Sequence, residues 1–337
     1  MPEPIVSPAA WRGAELFQSP DWLHTLTPRE NDELGSALDA VNERGLELDS
    51  IVPETFRLSA LGRLLERIQG SLESGCGAAL IRGLASEHCT VEAATRLFWG
   101  LARYVGTPVS QSSSGERLLS VRNEGYGAED PRSRGPNTRK RLSFHTDRCD
   151  VIAFLCLKQA KAGGENDVIS SVSLYNEMLK RRPDLLDVLL QPFPYKRHTV
   201  DTGNVRPYCE QPIFSLHGGH FAANFLRVLI DRADAAPECP TLSKLQHEAL
   251  DALESTAEDP RLYARFRQEP GDLLFLNNWV TFHRRAAFED HEEPAERRHL
   301  LRLWLAVPNS RPLAPAFAAN YGSTAAGALR GGMHPPA

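Results

Sequence analysis

The sequence has no long apolar run and no recognisable export signal. Its 337 residues include no stretch of about 18 apolar residues, the length that predicts a membrane-spanning helix. The N-terminal residues MPEPIVSPAAWRG lack the basic start and the apolar stretch of a secretion signal. We therefore predict a cytoplasmic protein without a membrane partner.

Cysteine is scarce and scattered. The six cysteines occupy positions 76, 89, 149, 156, 209 and 239, and no two of them form a C-x-x-C pair. Their density is too low for a scaffold held by disulfide bonds. Reduced thiols are typical of cytoplasmic proteins, so cysteine usage favours the same location.

The chain also has no excess of basic residues. Its formal net charge of −5 provides no positive field that would attract nucleic acid or an anionic membrane. Hydrophobic residues make up 42% and charged residues 24%, which is ordinary for a globular protein with a sizeable core. We expect a small-molecule partner and leave the oligomeric state open, with a homo-oligomer as one option.

The apolar pattern predicts helices first and strands later. Residues 1–75 have helical periodicity, with an N-cap and a capping box at Thr27–Glu30. Residues 109–141 are rich in Ser, Gly, Arg and Asn and are predicted to be mostly loop. Strands are predicted at 78–83, 151–157, 167–172, 272–278 and 300–306, with a hairpin at 212–225. Short strands with long helical insertions indicate a mixed α+β protein, mainly a jelly-roll or barrel core with helices outside.

Three side chains are candidate metal ligands. His145 and Asp147 precede the predicted strand 151–157, and residues i and i+2 of an extended segment point to the same face. His283 follows the predicted strand 272–278. Two histidines and one carboxylate leave other metal positions open, which favours a non-haem Fe(II) oxygenase. We interpret His291 and the hairpin pair at 217 and 220 as surface residues instead.

Two arginines near the C-terminal end of this pattern suggest an anion site. The stretch FHRRAAFEDHEEPAERRHLLRLWL (282–305) places Arg298 and Arg302 four residues apart, hence on one face of a strand. An arginine that points into a β core is costly unless an anion meets it. A dicarboxylate co-substrate would supply that anion through paired hydrogen bonds. The alternative is an exposed salt-bridge network.

In combination, two stretches resemble the TauD/TfdA family of Fe(II)/2-oxoglutarate dioxygenases. They are FHTDRCDVIAFLCLKQAKAGGENDVISSVSLYNEM (144–178) and PGDLLFLNNWVTFHRRAAFEDHEEPAERRHLLRLWL (270–305). The ligand pair, a Gly-Gly turn, the distal histidine and the arginine pair follow in family order. The resemblance implies a double-stranded β-helix, a distorted and cupin-like jelly roll.

The resemblance also implies a domain plan for the chain. We expect a single catalytic domain over residues 1–337. It would comprise helical decoration at 1–75, the double-stranded β-helix core with helical insertions at 76–308, and an Ala/Gly/Pro-rich tail at 309–337.

The same resemblance implies cofactors and a reaction. His145, Asp147 and His283 would be the catalytic residues that hold Fe(II), with 2-oxoglutarate as co-substrate and O2 as oxidant. The reaction would couple decarboxylation of 2-oxoglutarate, to succinate and CO2, with oxidation of a primary substrate. Hydroxylation is the usual outcome, and desaturation or cyclisation stays open.

Four further residues are expected to contact the co-substrate or the substrate. Arg298 falls where the family binds the distal carboxylate of 2-oxoglutarate. Asn166 falls where members often have a Thr or Ser hydroxyl for the same carboxylate. Arg302 falls where some members bind an anionic group of the primary substrate, and Arg141, four residues before His145, is a candidate for the same pocket.

Two other functions remain open on sequence grounds. A cupin-like hydrolase or isomerase could use Zn or Mn at the same ligands, and a non-enzymatic sensor could keep the metal without turnover. The arginine pair would be unexplained in the first of these. The favoured substrate is a small anionic or amino-acid-like molecule, whose identity the sequence does not give.

Overall fold

The computed structural model describes residues 2–85, 90–126 and 135–335. The α-helices of this part of the chain are α1 (Pro28–Glu43), α2 (Ala60–Ser74), α3 (Val91–Val105), α4 (Ser171–Arg181), α5 (Pro183–Leu189), α6 (Arg227–Asp234), α7 (Lys244–Ala257) and α8 (Ala318–Tyr321). The strands are β1 (Leu23–Thr25), β2 (Ala78–Arg82), β3 (Thr107–Val109), β4 (Leu118–Val121), β5 (Val151–Lys158), β6 (Ala162–Gly163), β7 (Asn166–Ser170), β8 (Pro192–Lys196), β9 (Tyr208–Pro212), β10 (Phe214–His217), β11 (His220–Ala223), β12 (Tyr263–Phe266), β13 (Leu273–Asn277), β14 (Thr281–Arg285), β15 (Phe288–Glu289) and β16 (His299–Ala306).

A seven-stranded sheet forms the larger layer of the structure. Its strand order is β1-β2-β13-β5-β16-β3, with β4 also paired to β16, and every pair except β1–β2 is antiparallel. A smaller antiparallel sheet has the order β12-β7-β14. Three two-stranded pairs, β10-β11, β15-β6 and β8-β9, complete the strand pairing among the described residues.

Alternation of side chains along the central strands explains why the sheet is covered on both faces. Val151, Ala153 and Leu155 of β5 pack in one buried cluster with side chains of α1, α2 and α3. Ile152, on the opposite face, packs in another cluster with Val168 of β7. Because successive side chains of a strand point to opposite faces, one apolar run supplies both layers of core.

The helices divide between the outer faces of the two sheets. Helices α1 to α3 cover the larger sheet, whereas α4, α5 and α7 cover the smaller one. Leu174, Leu185 and Leu253 of the second group pack with Ile169 of β7 and Phe282 of β14. The result is a mixed α/β fold with a large antiparallel sheet, as the sequence predicts at this coarser level.

Residues 110–126 and 135–141 are mostly loop, as the sequence predicts, but strand β4 interrupts them. Leu118 to Val121 pair antiparallel with β16, opposite Leu303 to Leu300. Polar and glycine residues on both sides hide this short segment in the sequence. The segment gains its strand structure from hydrogen bonds along β16, which local propensity does not encode. Residues 127–134 of the same region lie outside the described residues.

The C-terminal segment is anchored in the core and does more than cover the surface. Arg330, whose side chain is fully buried, donates from Nε to Asp150 Oδ1 at 2.7 Å. Asp150 also accepts from Trp279 Nε1 at 2.8 Å and from the Val307 backbone N–H at 3.0 Å. One buried carboxylate therefore joins the start of β5, the β13–β14 turn, the end of β16 and the C-terminal segment.

Five of the six cysteines are buried free thiols, and Cys89 lies outside the described residues. Burial raises the pKa of Cys156 to about 12, so this thiol is held in its protonated form. Among the described helices, none is both long and apolar enough to cross a membrane.

The Arg330–Asp150 pair generates a stability prediction. Arg330→Ala leaves the Asp150 carboxylate buried without its counter-charge, so we expect the free energy of unfolding to fall by about 3–5 kcal/mol. Urea denaturation measures this change. The exposed Arg29 on α1 provides a matched control, because Arg29→Ala should change the same quantity by less than about 0.5 kcal/mol. Equal effects of the two substitutions would contradict the anchoring role.

Candidate metal centre

Two histidines from distant parts of the chain are held side by side by their backbones. The His145 N–H donates to the His283 carbonyl and the His283 N–H donates to the His145 carbonyl, both at 3.0 Å. Their ring centroids lie 4.5 Å apart. His283 belongs to β14, whereas His145 precedes β5, so the isolated bridge joins the segments that carry both rings.

Asp147 completes a group of three possible ligands. Its Oδ2 lies 3.5 Å from His283 Nε2, and one ligand atom from each of the three residues lies within 4.8 Å of the others. The Asp147 backbone N–H donates to Asn278 Oδ1 at 3.1 Å, which fixes the ligand loop to the β13–β14 turn. The i and i+2 spacing of His145 and Asp147 thus brings both side chains to one point.

The ionisation of these groups suits a cation. Burial raises the pKa of Asp147, but Arg302 and the two histidines outweigh it and hold the pKa well below its usual range. Burial, together with the neighbouring His283, lowers the pKa of His145 to about 4. A neutral imidazole and a carboxylate are the forms that coordinate metals.

The remaining hydrogen-bond capacity of the group also fits a bound metal. Asp147 Oδ2 is buried and has no hydrogen-bond partner among the described residues. His145 Nδ1 lies 2.9 Å from the Ser143 carbonyl, which leaves Nε2 for a ligand. Two imidazoles and one carboxylate on one side of an ion form the donor set of non-haem Fe(II) oxygenases.

All seven side chains predicted for the site line one cavity of about 1380 Å³, called here the central cavity. They are His145, Asp147, His283, Asn166, Arg298, Arg302 and Arg141. The structure therefore brings together residues that lie up to 161 positions apart in the 337-residue sequence, from Arg141 to Arg302.

Arg298 is buried without side-chain partners. It is 2% exposed, and its Nε and Nη1 have no hydrogen-bond acceptor among the described residues. Burial lowers the pKa of this guanidinium to about 10. The guanidinium carbon lies 5.2 Å from the centre of the Phe288 ring. A Cβ added at Gly164, where φ is +76°, would lie 3.3 Å from Arg298 Nε, so this glycine makes room for the guanidinium.

Arg302 forms an ion pair with Asp147, one of the candidate metal ligands. Its Nε donates to Gln111 Oε1 at 2.7 Å, and its Nη1 lies 3.7 Å from Asp147 Oδ1. Arg302 is 7% exposed, so both arginines are buried on the cavity side of β16 and its N-terminal edge. The alternative of an exposed salt-bridge network is therefore wrong for this pair.

The last two predicted residues are already engaged by protein groups. Asn166 Nδ2 donates to Gln268 Oε1 at 3.2 Å, which orients the amide at the start of β7. Arg141 Nη2 pairs with Glu258 Oε2 at 2.6 Å, and both side chains are 51% exposed. Arg141 thus lies at the open rim of the central cavity, and Asn166 lies deeper in its wall.

Sequence reasoning missed Arg285, which is buried in the cavity wall in addition to Arg298 and Arg302. Its Nη2 donates to the Lys140 carbonyl at 2.5 Å, and its Nε has no hydrogen-bond partner among the described residues. Burial, together with the nearby Arg298, lowers the pKa of Arg285 to about 9. A signal for it did exist, because Arg285 is two residues after His283 and a strand turns such residues to the same face.

The other histidine candidates stay apart from this group. His217 and His220 are exposed on the β10–β11 hairpin, and His291 is exposed in the charged stretch before β16. Within the described residues, His145, Asp147 and His283 form the one cluster whose donor atoms meet closely enough to hold a metal ion.

Comparison with known proteins identifies relatives of the whole chain. FR-33289 synthase from Streptomyces rubellomurinus (strain ATCC 31215) is 32% identical over 315 residues, which cover 92% of this chain and 92% of the relative. The taurine hydroxylase-like protein SAT17 of Stachybotrys chartarum (strain CBS 109288 / IBT 7711) is 28% identical over 310 residues, covering 87% of this chain and 77% of that protein.

A solved structure and a family model agree with these relatives. An asparagine oxygenase in complex with Fe(II), 2S,3S-3-hydroxyasparagine and succinate has the same fold, with a TM-score of 0.64 at 16% identity over 84% of this chain and 93% of that chain. Residues 44–304 match the model "Taurine catabolism dioxygenase TauD, TfdA family". The chain belongs to the TauD/TfdA family of Fe(II)- and 2-oxoglutarate-dependent dioxygenases.

Proposed function

We propose that this dioxygenase hydroxylates a small anionic or amino-acid-like molecule at the group formed by His145, Asp147 and His283. The observation that carries the proposal is the meeting of three metal-ligand atoms within 4.8 Å in a cavity that also holds a buried, unpartnered arginine. Family membership favours this function over a cupin-like hydrolase, an isomerase or a sensor.

In this proposal His145, Asp147 and His283 hold Fe(II), and the metal with 2-oxoglutarate supplies the activation of O2 that oxidises the substrate. The chain's own contribution is geometric. The reciprocal hydrogen bonds of the two histidines set their separation, and Asn278 fixes the backbone beside Asp147. The carboxylate stays ionised, so it offers a negative charge to the cation at any physiological pH.

Arg298 is proposed to bind the distal carboxylate of 2-oxoglutarate. Its unpartnered N–H groups and its burial give an anion both hydrogen bonds and a low-dielectric environment. Asn166 is proposed to assist through its amide, which Gln268 orients. The guanidinium of Arg285 lies near that of Arg298 and adds positive charge beside the same site.

The primary substrate is proposed to approach from the side of Arg302, with Arg141 at the rim. Arg302 lies against Asp147, next to where oxidation would occur. A substrate of amino-acid type agrees with the structural relative, an asparagine oxygenase crystallised with 3-hydroxyasparagine and succinate. It also agrees with the name of the taurine hydroxylase-like relative.

We further propose that the two facing sheets form the distorted jelly roll of a single catalytic domain, with residues 76–308 as its core. Support comes from the buried cluster shared by Ile152 of the larger sheet and Val168 of the smaller one. A cytoplasmic location stays a prediction from the sequence, and the oligomeric state stays open, with a homo-oligomer as one option.

The metal assignment predicts the outcome of three substitutions. His145→Ala, Asp147→Ala and His283→Ala should each abolish 2-oxoglutarate turnover and stoichiometric Fe(II) binding, because each removes one of three ligands. Succinate release and iron content measure the two effects. The exposed His220 is the control, since His220→Ala should preserve both. Full iron content and turnover in any one ligand variant would disprove that residue's role.

The co-substrate assignment predicts different effects for the two buried arginines. Arg298→Lys keeps the charge but loses the planar fork, so it should weaken 2-oxoglutarate binding by about ten- to a hundredfold, or about 1.5–3 kcal/mol. Arg302→Lys is the matched substitution and should change this affinity little. Anaerobic titration of the Fe(II) protein, followed by its visible charge-transfer band, compares them. A larger effect of Arg302→Lys would mean that the two roles are reversed.

A further inference from the structure

A second cationic group lies on the wall of the central cavity. We call it the Arg197 cluster and define it as Arg148, Arg197 and Asp201, all of which line the cavity. Arg197 and Asp201 follow β8, and Arg148 directly follows the ligand Asp147. The proposed metal and co-substrate roles make no use of this cluster.

The oxygens of Asp201 are already occupied. Oδ2 accepts from Arg148 Nη1 at 3.0 Å and from the His334 backbone N–H at 3.3 Å, while Oδ1 accepts from Asn204 Nδ2 at 3.3 Å. Arg197 Nη1 lies 3.6 Å from Oδ1, close enough for an ion pair but without a hydrogen bond. Two guanidinium groups thus share one carboxylate, and the cluster has an excess of positive charge.

Arg197 is buried with most of its hydrogen-bond capacity unused. Its side chain is 5% exposed, and its Nη2 donates to the Ala319 carbonyl at 2.6 Å. Nε and Nη1 have no hydrogen-bond acceptor among the described residues. Burial lowers the pKa of Arg197, and Arg148 lowers it further. A buried cation of this kind is costly, and an oxyanion that accepts from it would remove the cost.

The contacts of Arg197 separate it from the co-substrate arginine. Arg298 lies against Phe288 and Gly164, on the side of the β6–β15 pair. Arg197 instead contacts Ala319 at the C-terminal segment. An anion bound at Arg197 is therefore a different one from the carboxylate proposed for Arg298.

We propose that Arg197 binds an oxyanion of the primary substrate, such as a carboxylate, sulfonate or phosphoryl group, at the end away from the oxidised atom. Arg302 is less available for this role, because Gln111 and Asp147 already engage its guanidinium. The assignment to the primary substrate rests on the proposed function. The binding of an anion by the cluster does not.

The test measures anion binding by the metal-free full-length chain, without 2-oxoglutarate. Inorganic phosphate, sulfate and acetate are titrated separately by isothermal calorimetry, so that tetrahedral anions are compared with a carboxylate. We expect at least one of them to bind, and Arg197→Gln to weaken that binding by at least about tenfold. Arg298→Gln removes any anion bound at the co-substrate arginine but should leave the binding that depends on Arg197 in place, because the two guanidinium groups have different neighbours.

Arg206→Gln is the matched control. It removes the same charge from the same segment, but Arg206 is 59% exposed and pairs with Glu210, so binding should be unchanged. Thermal melting of each variant verifies folding, and Arg197→Lys replaces Arg197→Gln if the latter does not fold. The lysine variant keeps the charge and loses the planar donors, so it should also bind more weakly.

Three results would overturn the proposal. These are no binding of any of the three anions by the unaltered chain, equal binding by the Arg197 variant, and loss of binding in the Arg298 variant instead. Failure of the proposed function would show separately, as absence of the visible band when Fe(II) and 2-oxoglutarate are added without oxygen. The two failures are distinguishable because calorimetry uses neither component.

Discussion

The reciprocal pair of backbone hydrogen bonds between His145 and His283 is the constraint on which the site depends. It fixes the separation of two backbone segments from distant parts of the chain, each of which carries one imidazole. Asp147 then reaches the same point because it lies two residues after His145. The sheets that carry these segments are closed by cores on both faces, so the backbone cannot shift to relax the group.

The sequence predicted this part of the molecule well because its signals are local. Unbroken apolar runs of strand length predict β5 and β13, and the i, i+2 rule predicts that His145 and Asp147 converge. Strand β4 escaped because its stability comes from pairing with β16. The burial of Arg197 was not predicted, because it depends on contact with the C-terminal segment, which lies far away in the sequence. Tertiary neighbours, and not local pattern, decide whether such a residue is buried.

The cavity contains several buried arginines, and their burial costs free energy of folding. Within the part of the chain that the structure describes, Arg285, Arg298 and Arg197 each have guanidinium nitrogens without acceptors, although isolated buried charges oppose folding. The cavity thus holds more positive charge than its own carboxylates balance, and anionic ligands stabilise the folded state when they bind. Under the proposed function, such a site would favour small acids by charge, since a neutral molecule leaves the same cations unpaired.

The anchoring of the C-terminal segment has a consequence for biosynthesis. The three candidate metal ligands are all translated before Arg330, so a ribosome has made every one of them while Asp150 still lacks its counter-ion. Arg148 in the cavity wall likewise lacks one hydrogen-bond acceptor, the Asn320 carbonyl, until that residue is translated. A late stop codon or trimming by a peptidase would therefore leave the three candidate ligands in place but remove the partners of Asp150 and Arg148. Presence of the ligand residues in a gene is thus not sufficient for an active product.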